Sequence, residues 1–91
     1  MIVRRVVGNS MLPTLKPGRI ILARKKSYGP GDIVIACIDG MEVIKRVQAL
    51  EPRIILEGDN PSSAHYGDVS KTSIQGVLIW PRVKRALSVK G

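Results

Sequence analysis

The stretch DIVIACIDGMEVIKRVQAL (residues 32–50) decides the fold. Two runs rich in valine and isoleucine, residues that fit a pleated surface, flank the dipeptide Asp39-Gly40. Asp-Gly between two apolar runs is a strong hairpin signal, because both central residues of the tight turn need positive φ. The run ending at Ile38 is therefore expected to pair antiparallel with the run Met41–Leu50, which carries Lys45. Alternation along a strand puts Val43, Lys45 and Val47 on one face and Ile44 and Arg46 on the other. A lysine sharing a face with two valines is a charge where a charge is costly.

Outward from this hairpin the chain continues as short apolar runs. Ile2–Val7, Arg19–Arg24, Arg53–Glu57 and Ser73–Trp80 complete the strand candidates, beside Asp32–Ile38 and Met41–Leu50. Breakers separate them at Lys16-Pro17-Gly18, Gly29-Pro30-Gly31, Glu51-Pro52 and Gly58-Asp59-Asn60-Pro61. Helical periodicity is confined to two weak candidates, a short turn or helix after Ser10 and the basic segment Val83–Val89. No internal repeat or linker divides the sequence. The expectation is one domain over residues 1–91, mainly β, with a small coiled or barrel-like antiparallel sheet.

The composition excludes several functional classes. With 91 residues, 44% of them hydrophobic, there is material for one compact core. A single cysteine, Cys37, excludes an internal disulfide framework, and in DIVIACI it reads as a small buried hydrophobe. With one histidine, His65, and no CxxC pair, no metal site of the usual kind is expected, and no cofactor is implied. No apolar run approaches the roughly 20 residues that span a bilayer, and two arginines interrupt the first apolar residues, MIVRRVV. A soluble, cytoplasmic protein is the expectation. The net charge of +8 gathers in Arg4-Arg5, Arg24-Lys25-Lys26 and Arg82, Lys84 and Arg85. Such patches either keep a small protein in solution or hold it peripherally on an anionic surface such as a membrane.

A second stretch, GNSMLPTLKPG (residues 8–18), places Ser10 in a glycine- and proline-flanked turn. A serine hydroxyl needs a base within hydrogen-bond reach to act as a nucleophile. With one histidine available, the candidate base is Lys45, provided burial moves its amine from about 10.4 toward 7. The bland readings are that Ser10 caps a turn and that Lys45 snorkels to the rim of an edge strand. Spacing alone leaves both pairs of readings open.

GNSMLPTLKPG resembles the nucleophile box of the type I signal peptidase superfamily, where serine is followed by methionine and then Pro-Thr-Leu. PGDIVIA (residues 30–36) resembles the strand that follows, EVIKRV (residues 42–47) the box with the general-base lysine, and GDNP (residues 58–61) the late Gly-Asp-Asn box. Four boxes in the family's order are far more specific than any one of them. The resemblance implies a Ser–Lys serine endopeptidase with Ser10 as nucleophile and Lys45 as general base. It implies an oxyanion donor at the Ser10 amide, with Met11 beside it, and late-box residues Gly58, Asp59 and Asn60 that shape the turn next to the dyad. Gly8 stands where some members place a hydroxyl donor, so that donor is absent. In the run Pro61–Gly67, Ser63 would take the part of a serine that hydrogen-bonds the lysine, His65 replaces an acid, and the arginine usual there is missing.

Lacking an anchor and an inserted domain, the sequence is similar to the soluble, stripped-down members, including the maturation proteases of nickel-type superoxide dismutase. The related LexA-like proteases cleave themselves ahead of the serine. No Ala-Gly or Cys-Gly pair precedes Ser10, so action in trans is expected. The resemblance also implies a shallow apolar pocket near Met11, Leu12 and Pro13 and a protein or peptide substrate bound as an added strand. Two other classes remain: a non-catalytic module of the same fold, and a basic nucleic-acid-binding β-barrel. The latter would need exposed stacking aromatics, and the chain has only Tyr28, Tyr66 and Trp80.

Overall fold

In the computed structural model, which describes residues 1–84, Asp39 and Gly40 both adopt positive φ, 51° and 77°. They close the hairpin between β3 (Ile33–Ile38) and β4 (Met41–Ala49). Its register runs from Ile38 opposite Met41 to Ile33 opposite Arg46, which sets Lys45 across from Val34. The other strands are β1 (Ile2–Arg5), β2 (Ile20–Arg24), β5 (Ile54–Glu57), β6 (His65–Val69) and β7 (Ile74–Trp80), with one 3-10 turn at Lys71–Ser73. All are joined in one antiparallel sheet of order β1-β2-β7-β3-β4-β5-β6. The protein is mainly β, as the sequence implies.

The four residues Ile33–Ala36 are all buried, so β3 reads as a continuous apolar run rather than an alternating one. Ile33 and Ile35 join Val6, Met11, Leu15, Ile21 and Ala23 on one face of the sheet. Val34 and Ala36 join Val47, Ile54, Leu56 and Val77 on the other. Strand curvature lets one short sheet enclose both layers. It also brings β1 back over β4, although β2, β7 and β3 lie between them in the sheet. The Arg4 guanidinium consequently meets the Glu42 carboxylate, with Nε 2.5 Å from Oε1 and Nη2 3.2 Å from Oε2.

Six strands stand where the sequence places them, within one or two residues at each end. The seventh, β6, does not announce itself: HYGDV is short, polar and broken by glycine. It is a strand because β5 supplies a pairing edge, with Tyr66 opposite Leu56 and Val69 opposite Ile54, and because those two side chains pack onto the second core layer. The segment after Ser10 forms a single turn rather than a helix, closed by the Leu15 amide donating to the Met11 carbonyl at 2.9 Å. Val83 and Lys84 have no regular structure, and the remainder of the Val83–Val89 candidate lies outside the described residues, as does Arg85. Cys37 is half-buried and free. Among the described residues, no helix is long and apolar enough to cross a membrane.

The left-handed turn at Gly40 gives a direct check on the hairpin. An L side chain at φ 77° is strained whatever the space around it, so Gly40→Ala should lower stability in urea by about 1 to 2 kcal/mol.

Candidate active site

The segment that carries Ser10 is a loop pinned at both ends. The Val6 amide donates to the Arg19 carbonyl and the Gly18 amide to the Val6 carbonyl, each at 2.8 Å. Gly8 and Gly18 adopt φ of 81° and 89°, where L side chains are strained, so the loop can double back at both places. Between them Met11 and Leu15 are each 1% exposed and anchor the loop in the first core layer. Ser10 is left half-buried above these anchors. Among the described residues, its hydroxyl and its amide have no hydrogen-bond partner, and nor does the Met11 amide.

The late turn locks onto this loop from the other side. The Asn60 amide donates to the Ser10 carbonyl at 2.9 Å, and Asn60 Nδ2 donates to the Asn9 carbonyl at 3.0 Å. Gly58 is buried between them, and a Cβ there would overlap the Ser10 carbonyl oxygen and Ser63 Oγ. Asp59 faces inward to strand β4. Arg46 grips it bidentately, Nε to Oδ1 at 2.8 Å and Nη2 to Oδ2 at 2.7 Å, while the Thr14 hydroxyl donates to Oδ2. Arg46 is 4% exposed, and its Nη1 also donates to the Gly31 and Lys84 carbonyls. Burial by itself pushes the Asp59 carboxyl up. The hydrogen bonds from Arg46 and Thr14 and the guanidinium charge outweigh it and hold the carboxyl below its ordinary value.

Because adjacent residues of a strand face opposite ways, Arg46 on one face leaves Lys45 on the other. Lys45 is 5% exposed, so it does not snorkel to the rim. Its Nζ donates to the Ala64 carbonyl at 3.3 Å and lies 5.7 Å from the centre of the Tyr66 ring. Burial pushes the amine below its ordinary 10.5, toward the neutral form. Ser63 Oγ is buried beside Gly58 and has no hydrogen-bond partner among the described residues, so the amine takes the neighbouring carbonyl instead. His65 is exposed on β6.

Ser10 and Lys45 line one cleft of 440 Å³. Its walls come from Arg4–Val7, from Ser10 and Met11, from the first half of β4 and from Tyr66. Leu12 and Pro13 are not among the lining residues, and the cleft is not purely apolar, because Arg4, Arg5 and Glu42 face it. Among the described residues, no group of three or more His, Cys, Asp or Glu is placed to hold a metal ion.

A Peptidase S24-like family model matches residues 1–79, a span that takes in the loop, both central strands and the late turn. The chain belongs to the Peptidase S24-like family. Comparisons with the curated proteins and with the solved structures gave no match. Membership places this chain in the S24/LexA-like serine peptidase superfamily, a coarser assignment than the type I signal peptidase resemblance of the sequence boxes.

Sequence reading assigned no role to Thr14, Arg46 or Tyr66. Arg46 had one legible signal, a second charge next to Lys45 within an apolar strand, since a residue on that opposite face also needs a partner. Tyr66 had none, because its strand is visible only through pairing. Removing one partner of a buried ion pair leaves the other charge uncompensated, so Asp59→Ala should cost about 3 to 5 kcal/mol in chemical denaturation at pH 7. The depressed carboxyl sets the pH window. The pair's contribution is complete above the ordinary 3.8 and fades as pH falls through the lower folded-state value, so the gap between wild type and Asp59→Ala should close only below 3.8.

Proposed function

We propose that this chain is a serine endopeptidase that cleaves a peptide or pro-peptide in trans. The observation that carries the reading is one cleft shared by a half-buried serine, whose hydroxyl and amide have no partner among the described residues, and a lysine held below its ordinary pKa by burial. Family membership supports the same class of chemistry.

In this reading Ser10 Oγ attacks the carbonyl carbon of the scissile bond while neutral Lys45 Nζ takes the hydroxyl proton. The carbonyl oxygen becomes an oxyanion, stabilised by the Ser10 amide with Met11 beside it. Collapse breaks the C–N bond, Lys45 returns its proton to the leaving amine, and an acyl-enzyme ester remains. Water then attacks the ester, giving its proton to Lys45, and Ser10 Oγ recovers a proton as the acid leaves. Gly58, Asp59 and Asn60 hold the loop, Arg46 holds Asp59, and the Ala64 carbonyl and Tyr66 ring orient the amine.

The sheet edge supports an extended peptide as the substrate. Among the described residues β1 pairs only with β2, which leaves its outer edge to add an extended peptide as a further strand. The Gly58–Pro61 box favours a maturation substrate of the kind processed by the nickel-type superoxide dismutase proteases, in the cytoplasm or at a membrane surface.

Ser10→Ala and Lys45→Met should each lower kcat/KM by about a thousandfold or more on an unstructured peptide library while the fold survives. Since the base must be neutral, log kcat/KM should climb with slope one and level off at an inflection below 10.5. Unchanged cleavage by Lys45→Met would refute the dyad, and folded wild type that cleaves no peptide would favour a non-catalytic module.

A further inference from the structure

All seven acidic residues of the chain lie between Asp32 and Asp68. Residues 1–31 and 69–91 hold none of them and carry twelve of the fifteen lysines and arginines. These two ends are far apart in sequence, yet the sheet order sets β1, β2 and β7 side by side. The tertiary fold therefore makes one acid-free half of the sheet and leaves every acid in the half built from β3 to β6.

The outer face of that half has a second peculiarity. In β2, Ile21 and Ala23 are fully buried, which turns Ile20, Leu22 and Arg24 outward. Register then aligns Val3, Leu22 and Trp80 across three strands. Val3 is 54% exposed and Trp80 48%. A sheet face turned to water is ordinarily polar; this one is an aliphatic and indole row. Arg19 stacks over the Trp80 ring at 5.0 Å, and Arg24 stands at the end of β2.

We propose that this face seats the protein on an anionic lipid bilayer. Arginines satisfy the lipid phosphates, the indole takes the interfacial position that tryptophan favours, and the aliphatic row meets the acyl boundary. Charge complementarity selects this occupant. A second copy docking by the same face would oppose cation to cation. A nucleic acid would reward the arginines but not Val3, Ile20 and Leu22. None of Val3, Arg19, Ile20, Leu22, Arg24 and Trp80 lines the cleft, so covering this face buries no lining residue of the site.

Trp80 is the only tryptophan, so its emission reports the contact directly. Full-length protein is titrated with phosphatidylcholine vesicles with and without phosphatidylserine, some containing brominated acyl chains. The expected result is co-sedimentation and a blue shift only with phosphatidylserine, quenching by the brominated chains, and release by high salt. The triple variant Arg24→Glu, Lys25→Glu, Lys26→Glu should weaken partitioning about a hundredfold with an unchanged melting temperature and unchanged cleavage of soluble peptides. Binding without a Trp80 shift, equal binding to neutral vesicles, tighter binding to oligonucleotides, or no binding would each overturn the proposal. The vesicle-binding and fluorescence readouts do not depend on peptidase activity.

Discussion

The buried pair between Arg46 and Asp59 is the contact on which the site depends. Asp59 belongs to a turn that would otherwise hang from the end of β5, and Arg46 belongs to the most buried stretch of β4. Joining them fixes the turn against the sheet. Through Asn60 and Thr14 the same turn grips both sides of the Ser10 loop. A bidentate guanidinium is suited to this, since its planar fork dictates orientation as well as distance. Its remaining donor is directed at two carbonyls, so a charge with 4% exposure is fully compensated.

Lys45 is the counterpart on the other face of the same strand. Arg46 is stabilised as a cation by a carboxylate, whereas Lys45 has a carbonyl and an aromatic ring but no acid. Two adjacent basic residues are thereby given different surroundings by one structural fact, the period of two along a strand. In the run after the late box His65 replaces an acid and the usual arginine is missing. In the structure Asp59 of the late box is paired with Arg46, and Lys45 is held by the Ala64 carbonyl.

Polarity operates at a larger scale as well. The acid-free strands β1, β2 and β7 lie side by side while the cleft opens between β1 and β4, where the pair Arg4–Glu42 joins the two halves. The glycine at 76 assists the packing of the basic half, since a Cβ there would crowd the Ile2 and Ala23 side chains. None of the exposed row Val3, Leu22 and Trp80 lines the cleft, so site and surface share no residue of that row.

Local pattern in the sequence was enough for the hairpin at Asp39-Gly40, for six of seven strands, for the mainly β fold class and for the candidate pair Ser10 and Lys45. These rest on periods of two, on turn chemistry and on short boxes, all of which act over a few residues. Tertiary structure alone decided the rest. Whether Lys45 was desolvated or snorkelled depended on Tyr66 and Ala64, some twenty residues away in a strand that exists only because β5 offers it an edge. The partner of Arg46 and the exclusion of Leu12 and Pro13 from the cleft depended on how the loop seats its Met11 and Leu15 anchors. That β1 and β2 lie beside β7 depended on β7 pairing with β2, and a pairing between segments fifty residues apart leaves no periodic trace in either.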